Sequence, residues 1–191
     1  MNLANKISIT RILLIPFFVA AIIYYTPEKD FLRFVALALF MLGVFSDALD
    51  GYIARTMNQK TVLGSYIDPI ADKLLLLTAF VCLSMVNNFT KDFRLPPWVL
   101  LTVISRDAII VLGSIVIYMM KGRLEVVPSR LGKATTFFQM FTVISVLLHF
   151  RYSYIVWIMA AVFTVLSGMG YIRRGSLLLS ENHSALSVNK K

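Results

Sequence analysis

Residues 45–77 read FSDALDGYIARTMNQKTVLGSYIDPIADKLLLL, and they constrain the interpretation of the whole chain. The stretch places four carboxylates, those of Asp47, Asp50, Asp68 and Asp72, inside two apolar helical segments. A lipid-embedded ionisable residue costs from roughly 3 to more than 10 kcal/mol. The fold must therefore contain something that compensates these four acids.

The composition around this stretch is that of a membrane protein. The chain has 191 residues, of which 58% are hydrophobic and 15% are charged. An ordinary soluble domain has about 25% charged residues. A transmembrane helix needs about 20 residues, so six spans with short loops would use most of this chain. We predict an all-α integral membrane protein with six transmembrane helices.

The apolar segments define the predicted spans and the domain limits. Residues 1–174 form the predicted six-helix domain, and residues 175–191 a polar, flexible C-terminal tail. The spans are predicted at residues 7–26, 31–56, 66–86, 96–120, 131–150 and 153–171.

The distribution of Lys and Arg predicts that both termini lie in the cytoplasm. With that orientation, the outer helix ends carry only Lys29, Arg33, Lys91, Arg94 and Arg151. All other Lys and Arg residues except Arg106, which is in mid-span, fall at cytoplasmic ends, as the positive-inside rule requires. The net charge of +9 is thereby explained by anionic headgroups, and no nucleic-acid partner is expected.

The spacing of the four acids predicts a shared site on the cytoplasmic side of helices two and three. Asp47 and Asp50 are three residues apart, and Asp68 and Asp72 are four apart, so each pair lies on one helix face. Oxygen-only ligands select hard cations, which indicates two Mg²⁺ or Mn²⁺ ions. Two such ions about 4 Å apart suit phosphoryl chemistry. The alternative is that the acids lie in headgroup water and pair with Arg55 or Lys73.

Small and basic residues beside the acids suit a phosphate-bearing ligand. Gly51 and Ala54 leave room for a ligand to approach the helix backbone. Arg55 supplies a neighbouring cation suited to a phosphate. Gly64 allows the chain to reverse between the two helices.

The motif formed by these residues resembles the defining motif of the CDP-alcohol phosphotransferase family. Residues 47–72 match D-x2-D-G-x2-A-R-x8-G-x3-D-x3-D at every fixed position. The opening NKISITRILLIP and the six spans are also similar to those of the family. Members transfer a phosphate-bearing group from a CDP-linked donor to an alcohol and release CMP.

The resemblance implies a role for each motif residue. The metal ligands would be Asp47, Asp50, Asp68 and Asp72, and Asp72 would also take the proton from the attacking hydroxyl. The CDP donor would be bound by Gly51, Ala54, Arg55, Thr61 and Gly64. The resemblance further implies a homodimer and a bacterial inner membrane with the active site facing the cytoplasm. A lipid donor, CDP-diacylglycerol, would explain an enzyme made almost wholly of membrane helices.

The acceptor alcohol is indicated by three cations outside the motif. Arg106 lies deep in the fourth span, and Arg130 and Lys133 flank the start of the fifth. Three cations favour an acceptor that carries phosphate, and glycerol 3-phosphate fits. GKATTFFQ and FTVLSGMGY are similar to family members that make phosphatidylglycerophosphate.

Two alternatives remain open for the fourth span and its acceptor. ISRDAII, which contains Arg106 and Asp107, is closer to the cardiolipin synthases of the same family, whose acceptor is phosphatidylglycerol. Arg106 and Asp107 could also form a mutual ion pair that serves stability alone.

A divalent-cation transporter is an alternative function, of a different class from the phosphotransferase. It would need polar residues that continue to the outer face. The outer halves of helices two and three read FVALALFMLGV and LLLLTAFVCL, which are apolar.

Overall fold

The structure is a computed structural model of the chain. It describes the backbone of residues 3–56, 62–86, 94–121 and 130–188. Side chains are described for residues 9–46, 70–86, 94–115, 119 and 131–173.

Six α-helices account for the secondary structure of the described residues, which contain no strand, so the all-α prediction is confirmed. A 3-10 turn, Pro27–Lys29, lies between the first two helices. The helices are α1 (Leu3–Ile23), α2 (Phe31–Thr56), α3 (Val62–Met85), α4 (Pro97–Lys121), α5 (Arg130–Leu147) and α6 (Ser153–Val188).

The helix ends differ from the predicted ones for identifiable reasons. α1 ends at Ile23, and Thr26 is extended, with φ −139° and ψ 156°. Extended backbone is expected before Pro27, because the proline ring disfavours the helical conformation of the preceding residue. α6 continues to Val188, well beyond the predicted residue 171, because no proline follows Ser153 to interrupt it. The assignment of residues 175–191 to a separate flexible tail stays a prediction.

The end of α5 is set by a Schellman motif. His149 adopts φ +51°, and its amide donates to the carbonyl of Val146 at 3.0 Å. The amide of Phe150 donates to the carbonyl of Ser145 at 2.9 Å. These two bonds are the pair expected when the residue after the helix cap is left-handed. The left-handed residue after a helix cap is usually glycine, so His149 gave no signal in the sequence that the helix ends there. The predicted end at residue 150 was therefore wrong.

The chain divides into two compact units. The first comprises Met1–Pro97 and Met140–Tyr154, and the second comprises Trp98–Gln139 and Ile155–Lys191. α1, α2 and α3 thus belong to the first unit, together with the second half of α5 and the turn that follows it.

In the first unit, α1 packs against both α2 and α3. Phe18 of α1 and Phe40 of α2 are fully buried, with their ring centroids 6.2 Å apart. α2 lies close to α3 at Gly43, where an added Cβ would lie 2.5 Å from Cδ2 of the buried Leu75. The absence of a side chain at Gly43 therefore permits the close packing of these helices.

The buried residue Arg33, also in the first unit, joins the turn before α2 to the end of α5. Arg33 donates from Nε and Nη2 to both carboxylate oxygens of Asp30, at 2.8 and 2.7 Å. Its Nη1 donates to the carbonyl of Leu147 at 2.9 Å. The hydrogen bonds from Arg33 lower the pKa of Asp30, and burial lowers the pKa of His149 in the adjoining turn. The arginine thus links the turn between α1 and α2 to the end of α5.

The second unit contains a buried polar seam between α5 and α6. Thr135 Oγ1 lies 2.8 Å from the carbonyl of Leu131 and 3.0 Å from that of Phe163. Gln139 Nε2 donates to Thr164 Oγ1 at 3.3 Å. Short polar side chains of this kind hold helices together in lipid, where apolar burial provides no driving force.

The outward-facing side chains of the helices are largely apolar. Exposed examples include Phe17, Leu101 and Met119, which are 66%, 65% and 79% exposed. Two segments, Pro97–Ile115 and Ser153–Arg173, are long and apolar enough to cross a membrane. Shorter apolar segments occupy Ile9–Ile23, Phe31–Ser46 and Leu131–Leu147. This distribution is consistent with a membrane protein.

A valine at Gly43 should destabilise the first unit. Forcing two methyl groups against Leu75 should lower the free energy of unfolding by about 1–3 kcal/mol, the usual cost of overpacking. Gly113 is the matched control, because an added Cβ there meets nothing within 4 Å. Thermal unfolding of Gly43→Val and Gly113→Val in detergent measures the difference. Equal melting temperatures would contradict the close packing at Gly43.

Candidate active site

The one motif carboxylate whose side chain is described, that of Asp72, forms an ion pair with α1. Arg11 Nη1 donates to Asp72 Oδ1 at 2.7 Å. The arginine side chain is fully buried, whereas that of Asp72 is 26% exposed. Asp72 therefore combines a fixed contact on one oxygen with access for another group.

Helix geometry explains why these two residues meet. At 1.5 Å per residue, Arg11 lies about 12 Å along α1 and Asp72 about 15 Å along α3. α1 and α3 are separated in sequence by one helix, α2, so they run in the same direction when α2 runs back between them. Residues at similar distances from the helix starts then lie at the same level.

The other motif residues lie on described helix backbone, but their side chains lie outside the described residues. Asp47 and Asp50 are in α2, and Asp68 is in α3 with Asp72, so the predicted three- and four-residue spacings do fall on helices. Thr61 lies outside the described residues altogether. The remaining members of this group are Gly51, Ala54, Arg55 and Gly64. Gly64 lies inside α3, which begins at Val62, so the prediction that the chain reverses at this glycine was wrong.

The described part of this site fits a hard cation in its chemistry. Asp72 offers carboxylate oxygen, the ligand type that Mg²⁺ and Mn²⁺ prefer, and its side chain is partly accessible. Among the residues whose side chains are described, no group of three or more His, Cys, Asp or Glu could hold a metal ion. The predicted four-aspartate centre therefore stays a prediction.

Arg106 of α4 is buried and forms the ion pair that the sequence offered as an alternative. Its Nη1 donates to Asp107 Oδ1 at 2.7 Å, and its Nη2 donates to Ser167 Oγ of α6 at 3.2 Å. The guanidinium carbon also lies 5.8 Å from the ring centroid of Tyr171. Its Nε has no hydrogen-bond partner among the described residues. Two helices of the second unit thus converge on this cation.

A cleft of about 320 Å³ between α4 and α6 reaches Arg106. Its lining is mostly apolar, with Ser105, Thr102 and Thr164 as the polar members besides the arginine. Of the other predicted acceptor residues, Lys133 is exposed on α5, and the side chain of Arg130 lies outside the described residues. An anionic group in this cleft would meet a single described cation, Arg106.

The site prediction made from the sequence did not include Arg11, which contacts Asp72. It is the only charged residue within the predicted span 7–26, although it lies near the start of that span. A lone cation in an apolar helix needs a compensating partner, because its burial is otherwise costly. That requirement could have linked Arg11 to one of the four acids, but the choice among them depends on tertiary packing.

Comparisons with known proteins agree with the motif. The family model for CDP-alcohol phosphatidyltransferase matches residues 1–166. A CDP-diacylglycerol–glycerol-3-phosphate 3-phosphatidyltransferase of Aquifex aeolicus is 34% identical over 146 residues, covering 76% of this chain and 75% of the relative.

Two further relatives cover more of the chain. An enzyme of the same name from Bacillus subtilis is 32% identical, covering 91% of this chain and 94% of the relative. A probable phosphatidylglycerophosphate synthase of Mycobacterium tuberculosis is 32% identical, covering 91% and 81%.

Proposed function

The chain belongs to the CDP-alcohol phosphatidyltransferase family, and from this premise we propose that it transfers a phosphatidyl group from CDP-diacylglycerol to glycerol 3-phosphate. The products would be phosphatidylglycerophosphate and CMP. The names of the Aquifex and Bacillus relatives support this donor and this acceptor.

One observation carries the proposal. The family match over residues 1–166 contains the complete eight-residue motif from Asp47 to Asp72. The sequence therefore has every residue type that the proposed chemistry requires, at the required spacing.

The metal ligands in this proposal are the carboxylates of Asp47, Asp50, Asp68 and Asp72. Two Mg²⁺ or Mn²⁺ ions held there would neutralise the diphosphate charge and stabilise the leaving CMP. The partly exposed carboxylate of Asp72 is consistent with such a role. Gly51, Ala54, Arg55, Thr61 and Gly64 would bind the cytidine diphosphate part of the donor.

Asp72 would also act as the general base. The acceptor hydroxyl oxygen attacks the phosphorus that bears the diacylglycerol, the bond from that phosphorus to CMP breaks, and the hydroxyl proton passes to Asp72. A carboxylate within hydrogen-bonding reach of the hydroxyl can perform this transfer. No covalent enzyme intermediate is needed.

The phosphate of the acceptor would be bound by Arg106, with Arg130 and Lys133 as further cations. Arg106 is already oriented by Asp107 and Ser167, and its Nε–H remains available among the described groups. Burial among apolar groups strengthens the attraction between a guanidinium and a phosphate. Phosphatidylglycerol is the second acceptor to consider, because the ISRDAII run resembles cardiolipin synthases.

The setting that we propose is a bacterial inner membrane crossed six times, with both termini and the active site in the cytoplasm. The apolar exterior and the two long apolar segments support a membrane location. The bias of Lys and Arg toward one set of helix ends supports the orientation. A homodimer is proposed from the family resemblance alone.

The function is tested by CMP release from CDP-diacylglycerol in detergent with Mg²⁺. We expect release with glycerol 3-phosphate and no release with serine or inositol phosphate. Release with phosphatidylglycerol in place of glycerol 3-phosphate would show a cardiolipin synthase instead. Absence of release with every acceptor, at several divalent ions, would contradict the proposed enzyme class.

Asp72→Asn should abolish turnover and leave donor binding largely intact. Loss of a general base typically lowers the rate by about 10²–10⁴-fold. The asparagine keeps an oxygen that can accept from Arg11, so the contact is retained, but the loss of the compensating charge should lower the melting temperature. Asp30→Asn is the matched control, because Asp30 also pairs with an arginine at 2.7 Å and lies immediately before α2, outside the motif. A rate near that of the unaltered protein for Asp72→Asn would remove Asp72 from the mechanism.

Arg106→Gln should weaken acceptor binding selectively. Losing a charge-assisted hydrogen bond costs about 1.5–3 kcal/mol, so KM for glycerol 3-phosphate should rise about tenfold or more. KM for CDP-diacylglycerol should stay within about threefold by the same reasoning. Ser167→Ala, which removes one neutral partner of the guanidinium, should have a smaller effect. An unchanged acceptor KM combined with a lower melting temperature would leave Arg106 as a structural ion-pair residue.

A further inference from the structure

The ion pair between Arg11 and Asp72 is built from an unusually constrained cation. Arg11 is fully buried, and it is the only charged residue among the described side chains of α1, residues 9–23. A charge in such a place is costly unless a partner compensates it. The 2.7 Å contact to Asp72 Oδ1 supplies that partner.

The stem of Arg11 is confined as well as its guanidinium. α1 packs against α2 and α3, and an added Cβ at Gly43 would lie 3.8 Å from Arg11 Cγ. An arginine can often extend its charge to the membrane surface along its flexible stem. Here, complete burial of the side chain and close packing beside Gly43 prevent that movement.

The side chains of Arg11 and Asp72 differ in solvent exposure. Arg11 has no exposed surface, whereas Asp72 is 26% exposed, so the carboxylate is held by a buried group and keeps part of its surface accessible. A planar guanidinium is better suited than an ammonium to fix a carboxylate in one orientation. This is the arrangement by which outer partners orient acidic metal ligands in other proteins.

We propose that Arg11 is a positioning residue that fixes the orientation of the Asp72 carboxylate for metal binding and proton transfer. The proposal rests on the proposed function of Asp72 and extends it to a residue of α1 outside the motif. α1 thereby contributes to the active site although it supplies none of the motif residues.

The competing role for Arg11 is a structural tie between α1 and α3. The chain offers a matched comparison, because Arg33 is also buried and also pairs with an aspartate at 2.7 Å. Arg33 lies at the opposite end of the same unit and is assigned no part in the reaction. Arg11→Gln, Arg11→Lys and Arg33→Gln therefore separate positioning from stability.

The test combines steady-state kinetics, thermal unfolding and Mn²⁺ titration followed by electron paramagnetic resonance, all on the full-length protein in detergent. Arg11→Gln should lower kcat by about 10- to 100-fold, as for other partners of metal ligands. KM for CDP-diacylglycerol should change by less than about threefold. Arg11→Gln should also weaken Mn²⁺ binding, and Arg11→Lys should recover part of both losses.

Arg33→Gln should lower the melting temperature while kcat and Mn²⁺ affinity stay near those of the unaltered protein. The proposal is overturned if Arg11→Gln matches this control in all three measurements. Should Arg11→Gln fail to fold, Arg11→Lys decides alone: full kcat and full Mn²⁺ affinity in that variant overturn the proposal.

Failure of the proposed function gives a different pattern. If the unaltered protein releases no CMP with any acceptor, the Mn²⁺ titration still compares the variants. Weaker Mn²⁺ binding in Arg11→Gln than in Arg33→Gln would then support the positioning role without the reaction, and equal binding would overturn it.

Discussion

The first unit contains a buried charge, that of Arg11, which needs a compensating partner. Arg11 has no exposed surface, and its contact with Asp72 joins α1 to α3. Breaking such a pair by removing one partner costs about 3–5 kcal/mol, because an uncompensated buried charge remains. The close approach of α2 at Gly43 belongs to the same arrangement, since a side chain there would meet Leu75 and the stem of Arg11.

Among the described side chains, two more arginines, Arg33 and Arg106, are buried and compensated in the same way. Arg33 is held by Asp30 and the carbonyl of Leu147, and Arg106 by Asp107 and Ser167. The three sites differ in what they join: two helices of the first unit, two turns of that unit, and two helices of the second. Planar guanidinium groups suit all three, because several donors can be satisfied at fixed angles.

These arginines have different consequences for the reaction that we propose. Arg33 satisfies its charge entirely within a turn region and links two chain segments. Arg106 meets a cleft of about 320 Å³, where an anionic acceptor could approach it. Arg11 holds a carboxylate that belongs to the motif, so its position bears on the chemistry as well as on the fold.

The amino-acid sequence was enough to predict the helical class, the six helices that the described residues form and the family, because long apolar runs and motif spacing are local properties. It placed α2 correctly at residues 31–56 but misplaced the end of α5, where His149 takes a left-handed conformation more typical of glycine. The pairing of Arg11 with Asp72 and the bond from Arg106 to Ser167 became evident from the packing of the helices. These contacts join residues 61 positions apart, and such partners are selected by helix packing, which no local pattern encodes.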